Sequence, residues 1–217
     1  MTDPGNFFDI DSGIYVFGNE ADTTEYPYWG SNFWEDWERP IHVEFYEPDG
    51  ELGFNVDAGV KIFGSWSRLF PQKSLAIFAR GRYGYDEINY QIFPDISINS
   101  FQAFVLRNSG QDWGHTFFRD AMMQSLTAEA TNVDVQAYRP AMVMLNGEIW
   151  GIHNIREKFN EHYIALSNYF GRQIRIFKTP CPQNSCSLHM NGISIWNRCA
   201  GRHRTVKSII SFHTLCR

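Results

Sequence analysis

The side chains best suited to hold a phosphate group lie within Gly59–Arg82. There a loop, Gly64-Ser65-Trp66-Ser67-Arg68, precedes Lys73 at the mouth of an apolar run. Backbone N–H groups and hydroxyls of such a loop can solvate phosphate oxygens, and the lysine can neutralise them. Arg68, Arg80, Arg82 and Arg107 add guanidinium forks suited to phosphate or carboxylate. The plainer reading stays open beside this one. It is a pair of strands with an exposed lysine, and arginines in ion pairs with the many nearby acids.

Other chemistries find less support. The chain has no G-x-x-x-x-G-K-[ST], no G-x-G-x-x-G and no H-E-x-x-H. His42, His115, His153 and His162 are scattered, so zinc held by them is not indicated by spacing. Cys181 and Cys186, with His189 and His203, do not have zinc-finger spacing. Ser65 and Ser67 have no evident His/Asp partnership. The acidic clusters Asp9-Asp11 and Glu35-Asp36-Glu38 do not fit a calcium loop. Trp29, Phe33, Trp34 and Trp37 could stack on a sugar or base, and packing over the open side of a sheet is the expected alternative.

Alternation predicts the elements that position these residues. Strands are expected at 14–17, 41–47, 58–64, 73–79, 90–93 and 102–107. Pro48-Asp49-Gly50 is a turn, and Asn146-Gly147 between two apolar runs makes 137–156 a hairpin. Phe118, Met122 and Leu126 recur at i, i+4, i+8 and predict a helix over 115–127, capped by Asp112 or Thr116. Arg119 and Asp120 are adjacent there, so one faces the sheet and the other solvent. A second helix is expected over 157–169. Together these elements give an α+β fold, a mixed and mostly antiparallel sheet with a packed helix.

With 217 residues, 43% hydrophobic and 16% aromatic, the chain can bury a core. It contains no run long and apolar enough to span a membrane, and its first residues do not form a signal peptide. Charge is split. Residues 1–170 hold eleven Lys and Arg and all 24 Asp and Glu, a net of −13, whereas 171–217 hold eight Lys and Arg and no acid. All four cysteines lie in that tail. A basic arm for nucleic acid is one reading, but it has no repeated basic pattern. A change of reading frame near residue 168 is the expected one, and no nucleic-acid partner is assigned.

The segments GVKIFGSWSRLFPQKSLAIFAR, FVLRNSGQDWGHTFFRDAMMQSL and YRPAMVMLNGEIWGIHNIREKFNEHYIA follow one another. In that order they resemble the CotH family, atypical protein kinases of spore coats and secretions. The resemblance covers roughly 1–166. It implies a divergent protein-kinase fold, with 1–40 an irregular aromatic-rich segment and 41–166 resembling the N-lobe. The tail, 167–217, stands apart as non-native. The resemblance further implies ATP and Mg²⁺ as cofactors, serine side chains of coat or secreted proteins as substrates, and a spore-surface or secreted location.

On this likeness Lys73 corresponds to the strand-3 lysine that pairs the nucleotide phosphates. Gly64, Ser65, Ser67 and Arg68 resemble the Gly/Ser loop, and Glu157 resembles the glutamate of a hinge at Ile155–Lys158. The helix has no glutamate, which leaves Asp120 as a shorter partner for Lys73. In such kinases the catalytic base and metal-binding aspartates follow the hinge. Their absence from 171–217 predicts a truncated chain, inactive on its own. The alternative is a non-catalytic extracellular binding module that uses the aromatic surface at 29–37.

Overall fold

A computed structural model describes residues 1–131 and 133–169, together with strands at 177–178, 186–190 and 193–197. The chain divides into two units. One is Met1–Gln124 with Gln136–Phe159; the other is Ser125–Val135 with Asn160–Arg217.

The first unit opens with a short helix, α1 (Gly5–Phe8), and then runs irregularly to a six-stranded sheet. The elements in chain order are β1 (Arg39–Tyr46), β2 (Leu52–Phe63), β3 (Ser74–Phe78), β4 (Ile88–Asn89), β5 (Ser100–Phe101), β6 (Ala103–Arg107), α2 (Arg119–Ala130, of which the first unit holds the part up to Gln124), β7 (Tyr138–Leu145) and β8 (Glu148–Glu157). The order across the sheet is β1-β2-β3-β6-β8-β7, with every neighbouring pair antiparallel. The small β4–β5 pair stands apart from it. The fold is thus α+β with a mostly antiparallel sheet, as the alternation predicts.

Strand parity gives the sheet two unlike faces, because successive side chains point to opposite sides. On β2 the even positions Phe54, Val56, Ala58, Val60 and Ile62 are buried. The register joins Ile62 to Leu75, Leu106 and Ile155, and Val60 to Ile77 and Phe104. This apolar face packs with Phe7, Ile14 and Phe33 of the N-terminal segment and with Ile88, Ile92, Phe93 and Ile98 of the β4–β5 region in the core. The opposite face carries Lys61, Phe63, Ala76, Phe78, Val105 and Arg156.

Two strand expectations fail. Residues 14–17 form no strand, since Ile14 and Tyr15 donate their N–H groups to Asn6 and Phe7 carbonyls in a local wrap. Residues 90–93 form none either, and the pairing there is the two-residue β4 with β5. The hairpin holds as predicted: Asn146 (φ 51°) and Gly147 (φ 88°) make the two-residue turn between β7 and β8. Asn146 also exchanges two hydrogen bonds with the backbone of Thr2, at 2.8 and 2.9 Å. Gly147→Ala meets open space but has to hold positive φ. The expected loss is about 1 kcal/mol, read by denaturant unfolding.

The helix starts four residues late, and its apolar stripe does not face the sheet. Phe117 sits at φ 64°, a left-handed conformation that breaks the predicted helical run. Its carbonyl accepts from Ser109 Oγ and from Asn154 Nδ2. Asp112 then organises the entry, accepting from the backbone N–H groups of Thr116 and Arg119 and from the Thr116 hydroxyl. Phe118, Met122 and Leu126 are exposed, and Ala121 is the buried residue of α2. In the second unit, Tyr163 and Ile164 of α3 (Glu161–Tyr169) are buried. Asn160 Oδ1 caps the Tyr163 N–H, and the Tyr163 hydroxyl donates to Asp134 at 2.6 Å. Strands β9 (Phe177–Lys178), β10 (Cys186–Met190) and β11 (Ile193–Asn197) pair antiparallel in the order β11-β10-β9. The reading-frame expectation for the rest of 170–217 lies outside the described residues.

Candidate functional site

Lys73 lies one residue before β3, with the parity of Leu75 and Ile77, so its side chain enters the apolar side. It is 5% exposed. Its ammonium donates to the carbonyls of Arg68 (2.6 Å) and Phe70 (3.0 Å). It also sits 4.3 Å from the Phe33 ring centroid and 5.3 Å from that of Tyr15. Burial without a carboxylate lowers its pKa to about 8. The Lys73 backbone N–H donates to the Tyr15 hydroxyl at 2.6 Å.

The loop residues fasten this arrangement. Gly64 has φ 105°, and a Cβ there would come within 2.4 Å of Ser67 Oγ. Ser65 is exposed, and the Ser67 carbonyl accepts from Asn108 Nδ2. Arg68 Nε donates to the Gly64 carbonyl (2.7 Å), and Arg68 Nη1 donates to those of Phe33 (2.9 Å) and Trp34 (3.1 Å). The Arg68 fork is therefore taken up by the chain's own carbonyls. Glu157 is buried, and its Oε2 accepts from the Ala137 N–H at 2.7 Å.

The expected Lys73–Asp120 pair does not form. Asp120 Oδ2 receives Arg156 Nη2 at 2.8 Å and lies 3.4 Å from Arg107 Nε. Arg156 belongs to the face opposite Lys73, so strand parity alone separates the two groups. Arg119 turns the other way and pairs with Asp112 at 3.1 Å, which matches the predicted divergence of Arg119 and Asp120.

The face shared with Asp120 gathers cations that a search by motif passes over. Lys61, Ala76, Val105 and Arg156 are direct register partners, one row across four strands. Glu38 lies over Gly59 on this face, where a Cβ would come within 2.2 Å of its Oε1. It pairs with Arg80 Nε at 3.1 Å, with Arg82 and with the Tyr83 hydroxyl, while Lys61 pairs with Asp36 at 3.0 Å. Burial opposes ionisation of Glu38, yet hydrogen bonds from Arg82 and Arg80 hold its pKa below the usual carboxylate value. The Lys158 ammonium stands over Phe63 (5.6 Å) and Phe78 (5.5 Å). Burial, then Lys61 and Arg80, lower its pKa, with Asp36 acting the other way. The available signal was parity: Asn154, Arg156 and Lys158 alternate with His153, Ile155 and Glu157.

The aromatic surface is arranged differently from the expectation too. Trp34 is half-buried, donating to the Pro27 carbonyl, and Trp37 lies under Arg39. Beside them Trp29 is 60% exposed, and Tyr26 stacks on Trp66 with centroids 5.6 Å apart. Among the described residues no three His, Cys, Asp or Glu side chains converge as metal ligands. His42 faces Asp57, and His153 is buried against the Lys73 carbonyl. Among the described residues no helix is long and apolar enough to cross a membrane.

The sheet from the end of β2 onward, with α2 beside β8, lies in the part of the chain that a family model recognises. The model for the CotH kinase protein family matches residues 60–190, more than half of the sequence, and the chain belongs to that family. The match begins within β2 and runs beyond residue 166, so its limits differ from the 1–166 of the resemblance. No curated protein matches the chain.

Proposed function

We propose that this chain is the nucleotide-holding part of an ATP-dependent protein kinase whose parent activity is phosphoryl transfer to serine hydroxyls of coat or secreted proteins. The observation that carries this reading is the family match from the end of β2 through β8, with α2. In phosphoryl transfer the protein mainly positions the reactants and neutralises charge on the phosphoryl oxygens. Bound ATP supplies the transferable phosphoryl group. The residues that suit its phosphates are the lysines and arginines of the Asp120 face. The Gly64–Arg68 loop and Lys73 support that face by tying the β2–β3 connection to the sheet, and Glu157 by holding the approach to β7. The described residues offer no carboxylate cluster for Mg²⁺, so no step is assigned to a metal here.

Calorimetric titration tests the reading. The full chain is expected to bind ATP at least about tenfold more tightly than adenosine, a difference of about 1.4 kcal/mol that the phosphates would carry. Equal binding of the two, or binding of neither, overturns it.

A second reading rests on the Tyr26–Trp66 stack and on Trp29, which present flat rings to solvent. Such rings stack on sugars. Oligosaccharide binding abolished in Trp29→Ala/Trp66→Ala, with no effect of ATP, would favour a binding module.

A further inference from the structure

We propose that the Asp120 face of the sheet is a binding site for a linear polyphosphate anion, held by Lys61 and Lys158 at one end and by Arg107 and Arg156 at the other. This deepens the nucleotide reading by naming the side chains that take the phosphates, and its test separates the two.

The register builds the site. Lys61 and Arg156 occupy one row with Ala76 and Val105 between them. Three strand spacings put their backbones roughly 14 Å apart. Two long cationic side chains therefore rise from the same face with Ala76 and Val105 between them. Lys158 follows the last residue of β8, and its ammonium stands over Phe63 and Phe78, on the face that carries Lys61.

The charges are unbalanced. Six cations (Lys61, Arg80, Arg82, Arg107, Arg156 and Lys158) meet three carboxylates, Asp36, Glu38 and Asp120. This excess stands in a region whose overall charge is −13. Carboxylates shared between several cations leave part of that charge uncompensated, which is costly where a cation is buried as Arg156 is, and such a face fits an anion supplied from outside.

Individual groups point the same way. The Lys158 ammonium stands over two aromatic rings, feels Asp36 more weakly than it feels Lys61 and Arg80, and is half-buried. Arg156 is 1% exposed and its Nε is buried without a hydrogen-bond acceptor, while Arg107 Nε has Asp120 Oδ2 at 3.4 Å, an ion pair without a hydrogen bond. Burial and the neighbouring Lys61 and Arg80 disfavour the charged form of Lys158, a cost that a bound anion would offset. Phosphate oxygens accept from guanidinium forks and ammonium groups alike, so a chain of phosphates suits a row with lysines at one end and arginines at the other.

The probe is inorganic tripolyphosphate, titrated calorimetrically into the full chain without metal. Wild type is expected to bind it. Lys158→Met, which keeps the stem over Phe63 and Phe78, is expected to weaken binding at least about tenfold. Arg39→Gln removes the same charge beside Trp37 and Ser12, and should change affinity by less than about twofold. Near-UV circular dichroism checks that each variant folds, and Lys61→Met takes over the test if Lys158→Met does not. No binding by wild type, or equal effects of Lys158→Met and Arg39→Gln, overturns the site. Tripolyphosphate binding without any preference for ATP over adenosine keeps the site and removes the nucleotide reading. ATP binding that Lys158→Met and Lys61→Met leave intact does the reverse.

Discussion

Raising the pH from 7 to 10 is expected to stabilise the wild-type chain by about 2.5 kcal/mol relative to Lys73→Met. Lys73 has a folded pKa of about 8, below the ordinary 10.5. Between those values the unfolded chain binds the proton and the folded chain releases it. The unfolded state then holds more protons, so stability rises with pH. Below pH 8 both states are charged, and the cost of burying the ammonium is fully present. Met at this position has no proton to release, so its unfolding free energy lacks this contribution.

Tyr15, whose ring faces the same ammonium, works in the opposite direction. Burial pushes its pKa up to about 12, against the pull of hydrogen bonds from Lys73 and Trp150. The unfolded tyrosine therefore ionises first, and above about pH 10 the wild type loses stability. Comparing wild type with Lys73→Met at each pH cancels most of that loss, because both chains keep Tyr15. Denaturant unfolding at pH 7, 8, 9 and 10 measures the difference. A difference that stays flat across this range would mean that the Lys73 ammonium is not buried as the Arg68 and Phe70 carbonyls and the Phe33 ring place it.

Parity explains both what the sequence made legible and what it hid. The alternation of Val60, Ile62, Leu75 and Ile77 was enough to place β2 beside β3, and Asn146-Gly147 was enough to place β7 beside β8. The same alternation puts Lys73 with Leu75 and Ile77, on the apolar side. Residue type alone suggests a phosphate-binding lysine at this position; parity turns it into the core. Arg156 and Lys158 were passed over for the converse reason: they carry no motif, and only pairing across β3, β6 and β8 brings them into line with Lys61. The helix shows a different limit. Phe118, Met122 and Leu126 have ideal helical spacing, but α2 meets β8 through a charge, and the left-handed turn at Phe117 has no glycine to announce it. Arg68, Arg80, Arg82 and Arg107 were each legible as a phosphate fork or an ion pair. The last three have carboxylate partners, and Arg68 binds carbonyls.

Asp120→Ala is expected to cost about 2 kcal/mol of stability, because it strands the buried Arg156 guanidinium. Arg156 is the more deeply buried partner, held by Asp120 at 2.8 Å and lying 5.7 Å over the Tyr138 ring. The Asp120 side chain keeps 37% of its surface in water, so the loss falls below the roughly 3–5 kcal/mol of a dry pair. Arg107 stays close by, and without the shared carboxylate the two guanidiniums repel each other. Replacing Arg156 by Leu as well removes the stranded charge, so the double variant should recover at least half of the loss. Denaturant unfolding of the two single variants and the double variant gives the coupling directly. Additive losses would mean that Asp120 does not anchor α2 to β8. Strong coupling together with tighter tripolyphosphate binding by Asp120→Ala would connect the fold to the anion site, since the carboxylate that neutralises the two arginines also competes with phosphate for them.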